Sequence, residues 1–269
     1  MSLASRREPA FYETMPARYR QLFRGPTVDE HAGIAARRGG APAHAEIWRR
    51  LPNGGAIACI VAEDRPGLLS YLGTVLTTRS IDILSAQVYA RANPRGAEVV
   101  DLFWLRREEG TAAAVGESDL AHVADLLGGL MTGDLRMDGR PLGARHLASQ
   151  DSATLVRFEE DGPDSGPATL SLETVERPGL FRAVTSALLD ADVRIISSKR
   201  ASGQGARVIH RFSLAEHDGR APDQYRRGLL QAEVLRVVEP VTRRAGTARS
   251  EAIPQPSSLE EASESSRCQ

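Results

Sequence analysis

The segment Asp64-Arg65-Pro66-Gly67-Leu68 returns 112 residues later as Glu176-Arg177-Pro178-Gly179-Leu180, and the same offset aligns Ile83 with Ile195 and Ser85 with Ser197. A register held across a helix length and a strand length is the signature of a duplicated unit, so the chain must build one local architecture twice. Each copy of the turn follows a half-buried alternation, Ala56 to Glu63 and Ala168 to Val175. Apolar residues at helical spacing come after it, Leu68, Leu69, Leu72, Val75 and Leu76 in the first copy. The period thus switches from two to 3.6 at the turn, which predicts strand, turn, helix.

The rest of each copy reads in the same way. Residues 81–91 and 98–107 predict two strands about a turn at 93–96, and Ser118 caps a helix whose stripe is Leu120, Val123, Leu127, Leu130 and Met131. The second copy offers strands at 153–160, 168–175, 193–201 and 207–216, helices at 177–191 and 223–232, and a closing strand at 233–239. The expected pattern is β-α-β-β-α-β, an α+β fold of two such units with antiparallel sheets and helices packed on one face. Ahead of the first unit, residues 1–54 predict a helical lead-in, with Thr27 as N-cap of a helix stopped by Gly39-Gly40 and a short extended piece at Ile47 and Trp48. Residues 55–137 form the first unit, 138–152 the connection, 153–240 the second unit, and 241–269 a polar tail with too few apolar residues to order itself.

At 269 residues there is room for two cores. The 34 basic and 35 acidic residues nearly cancel, and the arginine pairs are scattered without aromatic interleaving, which argues against nucleic acid or a membrane surface as partner. Two cysteines, Cys59 and Cys268, cannot make a disulfide framework or a metal quartet, and no secretory apolar run opens the chain. A cytoplasmic setting is expected.

Two readings of the turn stand side by side. Pro at the first helical position, an acid before it and Gly to relieve crowding make a sound helix start. Alternatively, the free amides of the helix start receive a ligand carboxylate while Asp64 or Glu176 meets its ammonium group, a pairing that suits an α-amino acid.

The acid-Arg-Pro-Gly-Leu turn between a first strand and first helix resembles the ACT regulatory domain. The pair of copies, over about 55–137 and 153–240, is similar to the tandem ACT region at the C-terminus of the uridylyltransferase/uridylyl-removing enzymes of nitrogen control. The resemblance extends to the approach segments, Phe11 to Ile34 and Leu155 to Leu180. It implies ferredoxin-like units that pair and bind an amino acid at the interface, with glutamine favoured. Carried over by motif position, the ligand-binding candidates are Asp64, Pro66, Gly67 and Leu68 with Ser85 and Gln87, and Glu176, Pro178, Gly179 and Leu180 with Ser197 and Lys199. The second copy departs by Glu176 for Asp and by His210 where the first has Asp101, so the first site is expected to be the stronger.

The magnesium-holding aspartate pair after a Gly-Ser turn, and the His-Asp clusters of the family's catalytic parts, are not found in the sequence. Asp190 and Asp192 read as solvated surface, and His31, His44, His122, His146, His210 and His217 show no ligand spacing. No nucleophile motif or phosphate loop is present. The expectation is a non-enzymatic amino-acid sensor with no cofactor or metal, acting on a partner enzyme and able to pair with a second copy through its ACT units. The alternative is a ligand-free pairing module serving as a regulatory subunit.

Overall fold

The computed structural model describes residues 10–52, 54–93, 96–107, 113–135, 154–159, 167–177, 179–203 and 207–239. The expected connection at 138–152 and tail at 241–269 lie outside these, as does Pro178. In chain order the elements are α1 (Phe11–Thr14), α2 (Ala17–Leu22), α3 (Pro26–Arg38), β1 (Ala43–Arg50), β2 (Ala56–Glu63), α4 (Leu68–Thr78), β3 (Ile81–Gln87), β4 (Ala90–Asn93), β5 (Gly96–Arg107) and α5 (Glu117–Thr132). Then follow β6 (Leu155–Phe158), β7 (Ala168–Val175), α6 (Leu180–Asp190), β8 (Arg194–Ser202), β9 (Arg207–Ala215) and α7 (Gln224–Val238). Among the described residues this is a mixed α/β architecture of seven helices and one nine-stranded antiparallel sheet, ordered β1-β2-β5-β3-β8-β9-β7-β6, with β4 added on β5.

The two halves repeat one topology, but it is ββαββα. Residues 233–239 do not make a closing strand. Read alone they alternate; joined to the preceding residues they continue a helical period, and Leu230, Val234 and Val238, one turn apart, are fully buried. The place such a strand would take is filled from the front, by β1 beside β2 and by β6 beside β7. The lead-in is therefore helical only up to Arg38 and ends in a strand of the sheet.

Other local expectations shift by a residue or two. α3 starts with Pro26 at N1 after Gly25, not with a Thr27 cap. α5 is capped at Gly116, whose amide donates to Asp119 Oδ2 at 2.9 Å, rather than at Ser118. Strand pairing of residues 81–93 is interrupted at Val88 and Tyr89, because the Tyr89 amide donates to the Asp101 carboxylate at 3.1 Å instead of a carbonyl.

Alternation along β2 and β5 sends Ala58, Ile60, Val99, Phe103 and Leu105 to one face, under α4 and α5, and Cys59, Val61, Val100 and Leu102 to the other. That second face is covered by Met15, Tyr19, Ile34 and Ala35 of the N-terminal helices, so the helices lie on both faces of the first half and not on one as expected. Tyr19 is fully buried and its hydroxyl meets His31 Nδ1 at 2.7 Å. In the second half α6 and α7 cover Leu170, Leu172, Phe212 and Leu214.

The halves join edge to edge. Ser85 lies opposite Lys199, Ala86 opposite Ser198 and Gln87 opposite Ser197. Shifting by 112 maps these pairs onto one another, so a local two-fold passes between Ala86 and Ser198, the geometry of an isologous dimer built inside one chain. The adjacent helices α4 and α6 approach closely at Gly73, where a Cβ would sit 3.1 Å from Phe181 Cδ1, and Ser70 and Ser186 share a 2.6 Å hydroxyl contact. Two sheet edges that would otherwise invite aggregation are thereby paired.

Candidate functional site

The repeated turn has a conformational reason first. In the first copy Arg65-Pro66-Gly67-Leu68 is a β-turn closed by the Leu68 amide on the Arg65 carbonyl at 3.2 Å, with Gly67 at φ 83 and ψ −1. Those angles belong to the third residue of a type II turn, which favours Pro before it and requires Gly or a close substitute there. Gly179 repeats them at φ 79 and ψ 2, and the Leu180 amide closes on Arg177 at 3.2 Å. Pro66 thus precedes the N-cap glycine and is not the first helical residue. The arginine is also structural: Arg65 Nη1 donates to the Met131 carbonyl at 2.6 Å, and Arg177 Nη2 donates to the Val238 carbonyl. Each guanidinium satisfies a carbonyl in the last turn of the second helix of its own half. Leu68 and Leu180 point into the core.

The structure does not bring Ser85, Gln87, Ser197 and Lys199 to the turns. β3 and β8 each carry a bulge, between Ile83 and Ser85 and between Ile195 and Ser197. One extra residue reverses which face the following side chains occupy. Ala86 and Ser198 consequently lie on the helix side, opposite the core residues Phe103 and Phe212. Gln87 turns to the other face, where it accepts from the Tyr89 hydroxyl at 2.7 Å. The residues that reach the second turn from β8 are Arg200 and Ser202. Sequence spacing carried no sign of either bulge.

The two turns differ in what surrounds them, and the asymmetry runs opposite to the expectation. A Cβ on Gly67 would meet Leu189 Cδ2 at 3.1 Å and the Tyr71 ring at 3.8 Å, so the space beside the first turn is taken. The positions equivalent to Leu189 and Tyr71 are Thr77 and Ala183, and beside Gly179 nothing lies within 4 Å. There a cavity of about 480 Å³ opens across the seam. Its walls are the second turn, Arg200, Ser202, Arg207, Val208 and His210 from the second half, and Gly73, Thr77, Asp82, Ile83 and Arg106 from the first.

Charges in this cavity form a chain linking the halves. Arg106 Nη2 lies 3.3 Å from Asp82 Oδ2, which lies 3.7 Å from Arg200 Nη1. Arg200 Nε lies 2.7 Å from Glu176 Oε2, without the alignment of a hydrogen bond, and His210 Nε2 lies 3.6 Å from the same oxygen. Burial opposes ionisation of Glu176, but His210, Arg200 and the Arg177 amide outweigh it and hold the carboxyl below its usual range. Asp64, by contrast, is exposed at the first turn.

Strand register fixes the correspondence between the sites. Ile60 faces Asp101 and Leu172 faces His210, so His210 takes the place of Asp101; Arg200 takes that of Val88, and Arg106 that of Ala215. Asp101 is buried, which pushes its carboxyl up to about 8 against the pull of the Tyr89 amide. Burial thus favours the neutral carboxyl at the first site, whereas the second site presents guanidinium groups. Neither His210 nor Arg200 was singled out in sequence as contacting Glu176; the register of β9 was the signal available for His210, and nothing signalled Arg200.

Fold and cleft together define a mixed α/β chain whose two halves repeat one order of strands and helices, meet edge to edge and keep a charged cavity at the seam. Along this stretch the chain resembles bifunctional uridylyltransferase/uridylyl-removing enzymes. It is 25% identical over 229 residues to that of Phenylobacterium zucineum (83% of this chain, 24% of that protein) and 26% identical over 229 residues to that of Caulobacter vibrioides (82% and 24%). With that of Rhodospirillum rubrum it shares 28% over 173 residues (58% and 17%). The chain spans about a quarter or less of the length of these curated relatives. No family model matches it. Among solved structures, an unknown protein from Galdieria sulphuraria aligns at 13% identity and a TM-score of 0.21, covering 72% of this chain and 91% of that one, a similarity too slight to carry an argument.

Proposed function

We propose that the chain is a non-catalytic regulatory region of a nitrogen-signalling system, built from two ferredoxin-like ACT units and responding to an amino acid held at the seam cavity. The observation that carries this reading is the location of that cavity. Its walls come from both halves, so a ligand touching Arg106 or Asp82 on one side and Glu176, Arg200 or His210 on the other favours the paired arrangement by its differential contacts. The similarity to uridylyltransferase/uridylyl-removing enzymes supports the setting, and glutamine is the first ligand it suggests. The signal would pass to a partner enzyme, or to catalytic parts of a longer chain, in the cytoplasm. No helix among the described residues is long and apolar enough to cross a membrane.

The first turn fits a pairing role better, because Tyr71 and Leu189 occupy the space a ligand would need. The ACT pairing edge is used within the chain, so further pairing of chains would need another surface. A thermal-shift screen of the twenty amino acids tests the reading. A ligand at a hundredfold excess over Kd stabilises the fold by about 2.7 kcal/mol, several degrees in Tm. If none of the twenty shifts the transition or gives heat in calorimetry, the ligand-free pairing module takes its place.

A further inference from the structure

The charge inventory of the seam cavity narrows the ligand. Four arginines and two carboxylates, Asp82 and Glu176, line the cavity; Arg207 is paired with Glu173 and Arg177 with the Val238 carbonyl, which leaves Arg106 and Arg200 beside the two lining acids. Both carboxylates are already in contact with arginine, Asp82 with Arg106 and Arg200, Glu176 with Arg200. No acid on the lining is left over for an ammonium group. Unpartnered polar atoms are in surplus: the donors Arg106 Nε and Arg200 Nε and the ring nitrogen His210 Nε2 are buried without a hydrogen-bond partner, and the His210 side chain is only 4% exposed. A buried polar group without a partner costs about 1 to 3 kcal/mol, so two arginine donors and an imidazole around one cavity call for a ligand that supplies acceptors. Glu176 supplies one misaligned carboxylate where Arg200 and His210 converge. The equivalent positions at the first turn are Ala215, Val88 and Asp101, so none of these groups was inherited by both copies.

We infer that the seam cavity takes a small carboxylic acid of net negative charge, a dicarboxylate or acidic amino acid, in preference to a neutral amino acid, with Arg106, Arg200 and His210 as its anion-recognising residues. This rests on the seam cavity being the ligand site and specifies the charge of what it holds. A guanidinium meets a carboxylate through charge-assisted, often bidentate bonds, which makes arginine suited to select anions over neutral amides.

The test is calorimetry and thermal shift of the whole chain with succinate, L-glutamate, L-glutamine and inorganic phosphate. Succinate or glutamate is expected to bind at least about tenfold tighter than glutamine, a difference of about 1.4 kcal/mol. Arg106→Gln should lose about tenfold of that affinity or more, and Arg200→Val, which installs the residue of the first copy, should lose more still. Arg106 is partly exposed, so its variant retains the fold if Arg200→Val does not. Glutamine binding tighter than both acids overturns the charge preference and leaves the seam-site reading standing. Binding of none of the compounds, with no response to any other amino acid, overturns both. Phosphate binding as tight as succinate overturns the carboxylate class, and succinate binding that survives in Arg106→Gln and Arg200→Val overturns the assignment of these residues.

Discussion

Replacing each turn glycine by alanine separates backbone strain from crowding. Gly67 and Gly179 share nearly the same left-handed angles, φ 83 and φ 79, where an L-residue costs about 1 to 2 kcal/mol. Loss of unfolded-state freedom returns about 0.4 to 1 kcal/mol, leaving a net cost of about 1 kcal/mol at either site. Only Gly67 carries a second cost, because its new Cβ would stand 3.1 Å from Leu189 Cδ2 whereas that of Gly179 meets nothing within 4 Å. Leu189 is 39% exposed and can rotate away, so the crowding amounts to about 0.5 kcal/mol. Gly179→Ala should therefore lower Tm by about 2 to 4 °C and Gly67→Ala by a degree or two more. Adding Leu189→Ala should erase the excess in a double-mutant cycle read by circular dichroism melting. An unchanged Tm in Gly179→Ala would refute the left-handed requirement, and equal losses at the two sites with no coupling to Leu189 would refute the account of the filled first turn. Valine at 67 meets the same strain with more bulk, so it tests the turn and not a ligand.

Other perturbations have equally definite outcomes. Burial raises the Asp101 carboxyl to about 8 in the folded chain, above its unfolded value, so the folded state holds the extra proton and the Asp101 contribution to stability falls as pH rises from about 4 to about 8. Asp101→Asn keeps an acceptor for the Tyr89 amide and should gain on the order of 3 kcal/mol over the parent at pH 8.5 but little at pH 4; parallel denaturation curves at both pH values would contradict this. His31, buried between Tyr19 and Trp48, is held down to about 4 by desolvation, with Glu30 pulling upward and Arg49 downward. The unfolded chain takes up the proton first, so the His31 contribution to stability should drop by about 2 kcal/mol as pH falls from 6.5 to 4, and in urea titrations His31→Gln should lose less stability over that interval than the parent does. Ser197→Ala and Lys199→Ala, placed on the sheet face away from the second turn, should leave ligand affinity within about twofold, because a lost charge-assisted bond would cost tenfold or more. A tenfold loss in either would show that the bulge does not turn them away.

Much of the fold was legible in the chain because the determining interactions are local. The Pro-Gly pair specifies a type II turn through φ alone, the period change at that turn separates strand from helix, and the 112-residue echo dictates that the solution is used twice. The correspondence of His210 with Asp101 was also readable, and strand register bears it out. What sequence periodicity could not supply was any feature that depends on one extra residue or on a distant neighbour. The bulges before Ser85 and Ser197 reverse the facing of every later side chain on their strands, so residues assigned to the ligand site turned away and Arg200 turned in. The helical fate of residues 233–239 was settled by the core that buries Val234 and Val238, since a short apolar run fits either period until it has something to pack against. Which turn keeps a cavity was decided by Leu189, Tyr71, Thr77 and Ala183, residues whose meeting with the turns exists only after the two halves have paired across β3 and β8. Sequence sets the local dihedral and burial preferences, whereas the space beside a turn depends on side chains brought there from the opposite half.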